Sequence, residues 1–131
     1  MTQAQVWKSS PFHIERKASK TPGTVIFRLS GPFTARDMYG SLTPDELSNV
    51  LAFQSTPDEE PPVTNIVDLT DVPYMDSTGL GMIVRHYVRC QGKGIRLILA
   101  GLNPRLLELL KLTKMDAVLP TCSAVEEAEQ A

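Results

Sequence analysis

The sequence predicts an α/β fold: a mixed, mostly parallel sheet with packed helices. Three observations lead to it. From Thr24 onward, β-branched and aromatic runs alternate with helical runs in the order strand, helix, strand, helix, strand, helix, the pattern of parallel strands joined by helical crossovers. Helix starts are marked by a capping residue followed by proline, at Thr43-Pro44 and at Asn103-Pro104. The chain has 131 residues and an apolar fraction of 42%, which suits one domain able to fold without metals or disulfides.

Each element has its own signal. Phe12 to Ala18 alternates loosely, as a first strand would, and Lys20-Thr21-Pro22-Gly23 is turn chemistry. Thr24 to Ser30, TVIFRLS, is β-branched and aromatic, and Gly31-Pro32 ends it. Thr43 as N-cap, Pro44 at the first helical position and Glu46 at the capping-box position open a helix carrying Leu47, Val50 and Leu51. Ser55 to Pro62, STPDEEPP, holds three prolines and three acids and reads as an exposed loop. Val63 to Leu69 is a second clear strand, and Thr70 to Asp76 a loop. Leu80, Ile83, Val84, Tyr87 and Val88 then form an i, i+3, i+4, i+7, i+8 stripe, one buried helix face, which Gly92 and Gly94 terminate. Ile95 to Ala100 is a third, buried strand. Asn103 caps a helix with Leu106, Leu109, Leu110 and Thr113 inward. Met115 to Leu119 is expected as a short last strand, and Ser123 to Gln130 as a short helix capped by Ser123 with Glu126 three residues on.

Composition removes several function classes. The formal charge of −2 lacks the basic excess of a nucleic-acid binder. The charge is unevenly placed: nine acids and no base from Asp37 to Asp76, then seven bases against Glu108 alone from Ser77 to Lys114. Such polarity can steer a partner. Cys90 and Cys122 match no zinc or redox spacing, so a reduced cytoplasmic setting is expected. Met1 to Ser10 has no apolar run of a signal peptide, and Ile95 to Leu102, broken by Arg96, is too short for membrane insertion.

Catalytic motifs fail on inspection. Gly79-Leu80-Gly81 is not a dinucleotide fingerprint: Val84 stands at the third glycine, and no acid lies between Asp76 and Glu108. Gly92-Lys93-Gly94 is not a phosphate loop, and no G-x-S-x-G elbow occurs. His13 and His86 lack metal-ligand spacing. His86 is expected at a solvated helix surface and Cys90 as a small packing residue. No catalytic residue, metal or cofactor is assigned, and the chain is expected not to be an enzyme.

Tyr74-Met75-Asp76-Ser77-Thr78-Gly79-Leu80-Gly81 lies between a strand and a helix. The first helical turn offers unpaired N–H groups and the positive end of the helix dipole. Glycines at 79 and 81 allow close approach of other backbone or of another protein. Ser77 is a good N-cap and also a good phosphate acceptor, since a phosphate there would meet those donors. Capping by Asp76 or Ser77 alone is the competing, purely structural role.

VDLTDVPYMDSTGLGMIV resembles the signature of STAS domains, the sulfate transporter and anti-sigma factor antagonist family, most of all bacterial anti-sigma factor antagonists. The resemblance runs from about Thr24 to Leu119. It takes in Asp68-Leu69, the D-S-x-G-L-G loop, Gly92-Lys93-Gly94, the strand IRLILAG and Asn103-Pro104. It implies a single STAS-like domain over 1–131 with its core at about 24–119, the segments 1–10 and 123–131 being peripheral. It further implies that Ser77 is the phosphoacceptor and that Asp76, Thr78, Gly79, Leu80 and Gly81 form a switch loop that binds a partner, with Arg85 and Arg89 as a partner-facing basic face.

The implied function is that of an anti-sigma factor antagonist. The unphosphorylated form binds an anti-sigma factor with serine-kinase activity and frees its sigma factor; phosphorylation of Ser77 ends the binding, and a phosphatase resets the cycle. Alternatives are a scaffold subunit of a stress-signalling assembly through self-association, a regulatory subunit of a membrane transport system, and a nucleotide or small-anion binder at the helix N-terminus. The family's G-x-L-D motif departs here to Gly31-Pro32-Phe33-Thr34, with Asp37 later, and Ala35 to Pro62 is long and acidic.

Overall fold

A computed structural model describes residues 6–9, 12–36 and 62–130. The helix expected from Thr43 and the loop Ser55 to Pro62, except for Pro62, lie outside the described residues. Six strands form one sheet in chain order: β1 (Val6–Ser9), β2 (Phe12–Ala18), β3 (Thr24–Ser30), β4 (Thr64–Asp71), β5 (Arg96–Ala100) and β6 (Thr121–Cys122). β1, β2 and β3 pair antiparallel; β3, β4, β5 and β6 pair parallel. The sheet is therefore mixed and mostly parallel, as the alternating elements predict. It also takes in residues on both sides of 24–119.

Among the described residues three α-helices accompany the sheet: α1 (Ser77–Gly92), α2 (Pro104–Leu112) and α3 (Val125–Gln130). Strand alternation sends β4 side chains to two faces. Val67 and Leu69 join Phe27, Leu29, Leu80, Ile83, Leu97, Leu99, Leu106 and Leu110 in the main core. Ile66 joins Ile26, Ile98 and Ala100 in a smaller core that Ala128 of α3 covers. α2 begins as expected: Asn103 Oδ1 accepts from the Leu106 N–H at 2.9 Å, and Pro104 opens the helix. α1 ends at Gly92, where Gly94 takes the left-handed conformation at φ 72° and lets the Ile95 N–H close on the Cys90 carbonyl at 2.9 Å.

Four expectations are corrected. Met115 to Leu119 is not a strand; Met115–Ala117 is a 3₁₀ turn, and the last strand is Thr121–Cys122. Lys114 at φ 62° turns the chain, and the Val118 and Leu119 N–H groups both close on the Met115 carbonyl, so local bonds replace ladder bonds. The buried face of α1 centres on Gly79, Ile83, His86 and Cys90. Val84 and Tyr87 only border the core, and Val88 is 60% exposed. His86 is buried, not solvated, because it lies in that 4–3–4 row. Finally, Glu127 rather than Glu126 reaches back to the Ser123 N–H and hydroxyl, so the box closes four residues on and α3 begins at Val125.

Candidate functional site: the loop that opens α1

The loop is anchored through Asp76, the N-cap of α1. Its Oδ1 accepts from the Gly79 N–H at 2.9 Å, satisfying a first-turn donor. Its Oδ2 accepts from the Ala35 N–H at 3.0 Å. Its backbone N–H donates to the Phe33 carbonyl, and its own carbonyl accepts from Leu80 at 3.0 Å. One carboxylate thus joins two remote segments.

Phe33 is the second half of the anchor. Its N–H donates to the Tyr74 carbonyl at 3.0 Å, and a parallel bridge pairs it with Met75. Its ring stacks on Phe12 with centroids 4.7 Å apart, and both residues are fully buried. The departure Phe33-Thr34 therefore runs directly beside the loop, with Thr34 buried. From the other side, Asn103 Nδ2 donates to the Val72 and Pro73 carbonyls at 3.1 Å each. The Arg105 guanidinium lies 5.0 Å from the centre of the Tyr74 ring, a cation–π contact.

Between these supports the six loop residues divide. Ser77, Thr78 and Gly81 are exposed, Asp76 is half-buried, and Gly79 and Leu80 are buried. Ser77 is the first residue of α1, and the cap is supplied by Asp76 instead. Gly79 is held by packing: a Cβ there would come closer than 3.0 Å to the Phe33 carbonyl oxygen. A Cβ on Gly81 would meet open space, so the fold itself makes no demand for that glycine. Arg85 and Arg89 are exposed on the same helix. Arg85 stands eight residues from Ser77 and four from Gly81, on one side of α1.

Beneath the helix, His86 Nε2 lies 3.6 Å from Cys90 Sγ. Burial, with Arg89 nearby, pushes the imidazole down to about 4; burial pushes the Cys90 thiol up to about 11. Both groups are neutral at pH 7, and Cys90 packs, as expected of it. Among the described residues no group of three or more His, Cys, Asp or Glu could hold a metal ion, and no helix is long and apolar enough to cross a membrane. Sequence reasoning did not find Phe33, Ala35, Tyr74 or Arg105 as loop supports. It found Asn103 as a cap, but a cap signal says nothing of where the amide donors go.

Comparison with known proteins agrees with this geometry. The family model described as STAS domain matches residues 15–128. The anti-sigma-B factor antagonist of Listeria monocytogenes is 40% identical over 53 residues, 40% of this chain and 46% of that protein. The matched segment is thus under half the length of that relative. Solute carrier family 26 member 10 of Mus musculus is 30% identical over 84% of this chain, which corresponds to 16% of that protein. Among solved structures, an anti-sigma factor antagonist from Mycobacterium paratuberculosis superposes with a TM-score of 0.70 at 20% identity, covering 92% of this chain and 95% of the other. A sharp D-S-x-G-L-G loop, an α/β sheet in this order and a family match over most of the chain all agree, and the chain belongs to the STAS domain family.

Proposed function

We propose that this STAS domain is an anti-sigma factor antagonist switched by phosphorylation of Ser77. Unphosphorylated, it binds an anti-sigma serine kinase in the cytoplasm and frees a sigma factor; phosphorylated, it lets go, and a phosphatase restores it. The observation that supports this most is the position of Ser77: exposed, first in α1, with the cap already supplied by Asp76. The hydroxyl is open to a kinase, and the helix N-terminus tolerates added negative charge. Exposed Thr78, Gly81, Arg85 and Arg89 extend the surface that a partner would cover.

Charge explains the release. A phosphoserine adds about −1.5 to −2 at pH 7 beside Asp76. In the free domain that charge stays in water. A partner covering the loop would have to desolvate it, and an unpaired buried charge costs several kcal/mol. A penalty of about 3 kcal/mol weakens binding about a hundredfold.

The test is incubation with the cognate kinase and ATP, followed by mass spectrometry. One phosphate is expected at Ser77 and none on Ser77→Ala. Ser77→Asp should keep the circular dichroism and melting temperature of the wild type and bind the kinase about a hundredfold more weakly than Ser77→Ala. A phosphate located elsewhere, or equal binding by the two folded variants, overturns the switch. A second reading, a regulatory domain of a membrane transport system, is favoured by the 84% coverage in the solute-carrier match. It predicts capture of a transporter in place of a kinase in a pull-down from the native cell.

A further inference from the structure

The last strand leaves part of its neighbour unpaired. β6 pairs only with Leu99 and Ala100, whereas β5 begins at Arg96. The Arg96 N–H donates to the Val63 carbonyl at 2.9 Å, toward β4, and the Leu99 N–H donates to the Pro120 carbonyl at 2.9 Å, toward β6. In a parallel ladder alternate residues bond to opposite sides, so the Leu97 N–H and carbonyl point the same way as those of Leu99. Their partner would be Val118, two residues before Pro120. That stretch closes on itself instead: the Val118 and Leu119 N–H groups both donate to the Met115 carbonyl. Among the described residues the Leu97 N–H therefore has no acceptor, and an unpaired backbone donor inside a sheet is rare.

A cavity of about 320 Å³ lies against this edge. Ile95, Arg96 and Leu97 line it from the sheet and Tyr87 and Gln91 from α1, with Gly94 and Pro120 between them. The Tyr87 hydroxyl accepts from the Gln91 amide at 2.8 Å, and a Cβ on Gly94 would meet open space. None of Asp76–Gly81 lines the cavity, so it is separate from the Ser77 loop. Leu97 and Tyr87 both pack on the main core, so a side chain in register with Leu97 falls on the Tyr87 side. Its two neighbours fall on the other side, that of Arg96, which is exposed. Arg89 and Lys93 are exposed nearby in sequence, and no acid occurs from Ser77 to Leu107. Glu127, which shares the surroundings of Cys122 with Arg96, is already bonded to the Ser123 N–H and hydroxyl. Arg96 has a contact within the chain as well, and a guanidinium has more donors than one contact uses.

We propose that the start of β5 is a docking edge for an extended segment of a partner protein in which acidic and apolar residues alternate. The segment adds a short strand in line with β6. Its backbone supplies the acceptor that the Leu97 N–H lacks and donates to the Leu97 carbonyl. Its apolar residue enters the cavity beside Tyr87, and the acids on either side meet Arg96. Main-chain bonds of this kind give affinity, and the alternating side chains give specificity.

The test is an NMR titration of the ¹⁵N-labelled full chain with the capped peptide Glu-Val-Glu-Val-Glu. The same peptide N-methylated at both valines, and Lys-Val-Lys-Val-Lys, run beside it. Saturable shifts are expected at the amides of Gly94 to Leu97, with the Leu97 amide moving downfield and becoming protected from hydrogen exchange. The N-methylated peptide should bind about fivefold or more weakly, through loss of a backbone hydrogen bond, and the lysine peptide more weakly still. Arg96→Gln, at an exposed position, should weaken binding of the glutamate peptide while leaving circular dichroism unchanged. No saturable shift, equal affinity for the three peptides, shifts centred on Ser77 to Leu80, or undiminished binding by Arg96→Gln overturns the proposal. So do shifts at Leu97 that grow with protein concentration alone, since a second copy would then be the occupant.

Discussion

Two glycines two residues apart have opposite duties. Gly79 sits against the Phe33 carbonyl, so Gly79→Ala must move backbone that Asp76 and Tyr74 also hold. The expected cost is about 1–3 kcal/mol, as for other overpacked sites. Gly81 is helical, exposed and free of neighbours; Gly81→Ala should stabilise by roughly 0.5–1 kcal/mol. Urea denaturation of the pair checks both, and a destabilising Gly81→Ala would contradict the open space around it. His86 sets a pH dependence. Its folded value of about 4 lies below the ordinary 6.5, so the unfolded chain binds a proton that the folded chain refuses. This contribution is fully present above pH 6.5 and is lost as pH falls toward 4, amounting to about 2 kcal/mol between pH 7.5 and pH 5. His86→Phe should flatten that slope in denaturation curves at the two pH values. A variant slope as steep as the wild type would place the effect elsewhere.

At the level of elements, α1 shows where periodicity was informative and where it failed. The stripe read from the sequence captured Leu80 and Ile83, yet the helix is rotated so that His86 and Cys90 go inward and Val88 outward. Hydrophobicity alone cannot supply that rotation, because a neutral imidazole beside a thiol is tolerated in a core and a valine is tolerated in water. Ile83→Ala should therefore cost roughly 2–5 kcal/mol, whereas Val88→Ala should stay within about 0.5 kcal/mol of wild type. A measurable penalty at Val88 in the isolated chain would mean that another segment covers it. The caps were legible: Asn103 and Asp76 both stand where local chemistry puts them. The supports of the loop were not, because Phe33, Ala35 and Arg105 meet it across 43, 41 and 31 residues of sequence, respectively, from Asp76, Asp76 and Tyr74. The β-type residues of Met115 to Leu119 misled because the left-handed Lys114 turns the chain before they can pair.

At the scale of the whole molecule, the sheet keeps the order of the chain from β1 to β6, and the alternation of elements foretold its parallel half. What alternation did not foretell is how the two ends meet. Ser19 donates to Glu129 at 2.5 Å, and the Thr21 hydroxyl donates to the Glu129 carbonyl, across about a hundred residues. Together with Ala128, these contacts hold α3 over Ile26, Ile66 and Ile98. Deleting residues 123–131 should cost on the order of 3 kcal/mol, from apolar area returned to water. An unchanged urea midpoint would show that α3 is dispensable. The same placement has a consequence during synthesis. Every strand can join the sheet as it leaves the ribosome, but the lid over that isoleucine row is encoded in residues 125–130. Until residues 125–130 are made the nascent sheet lacks α3 as its cover, and that interval is when a chaperone would have most to hold.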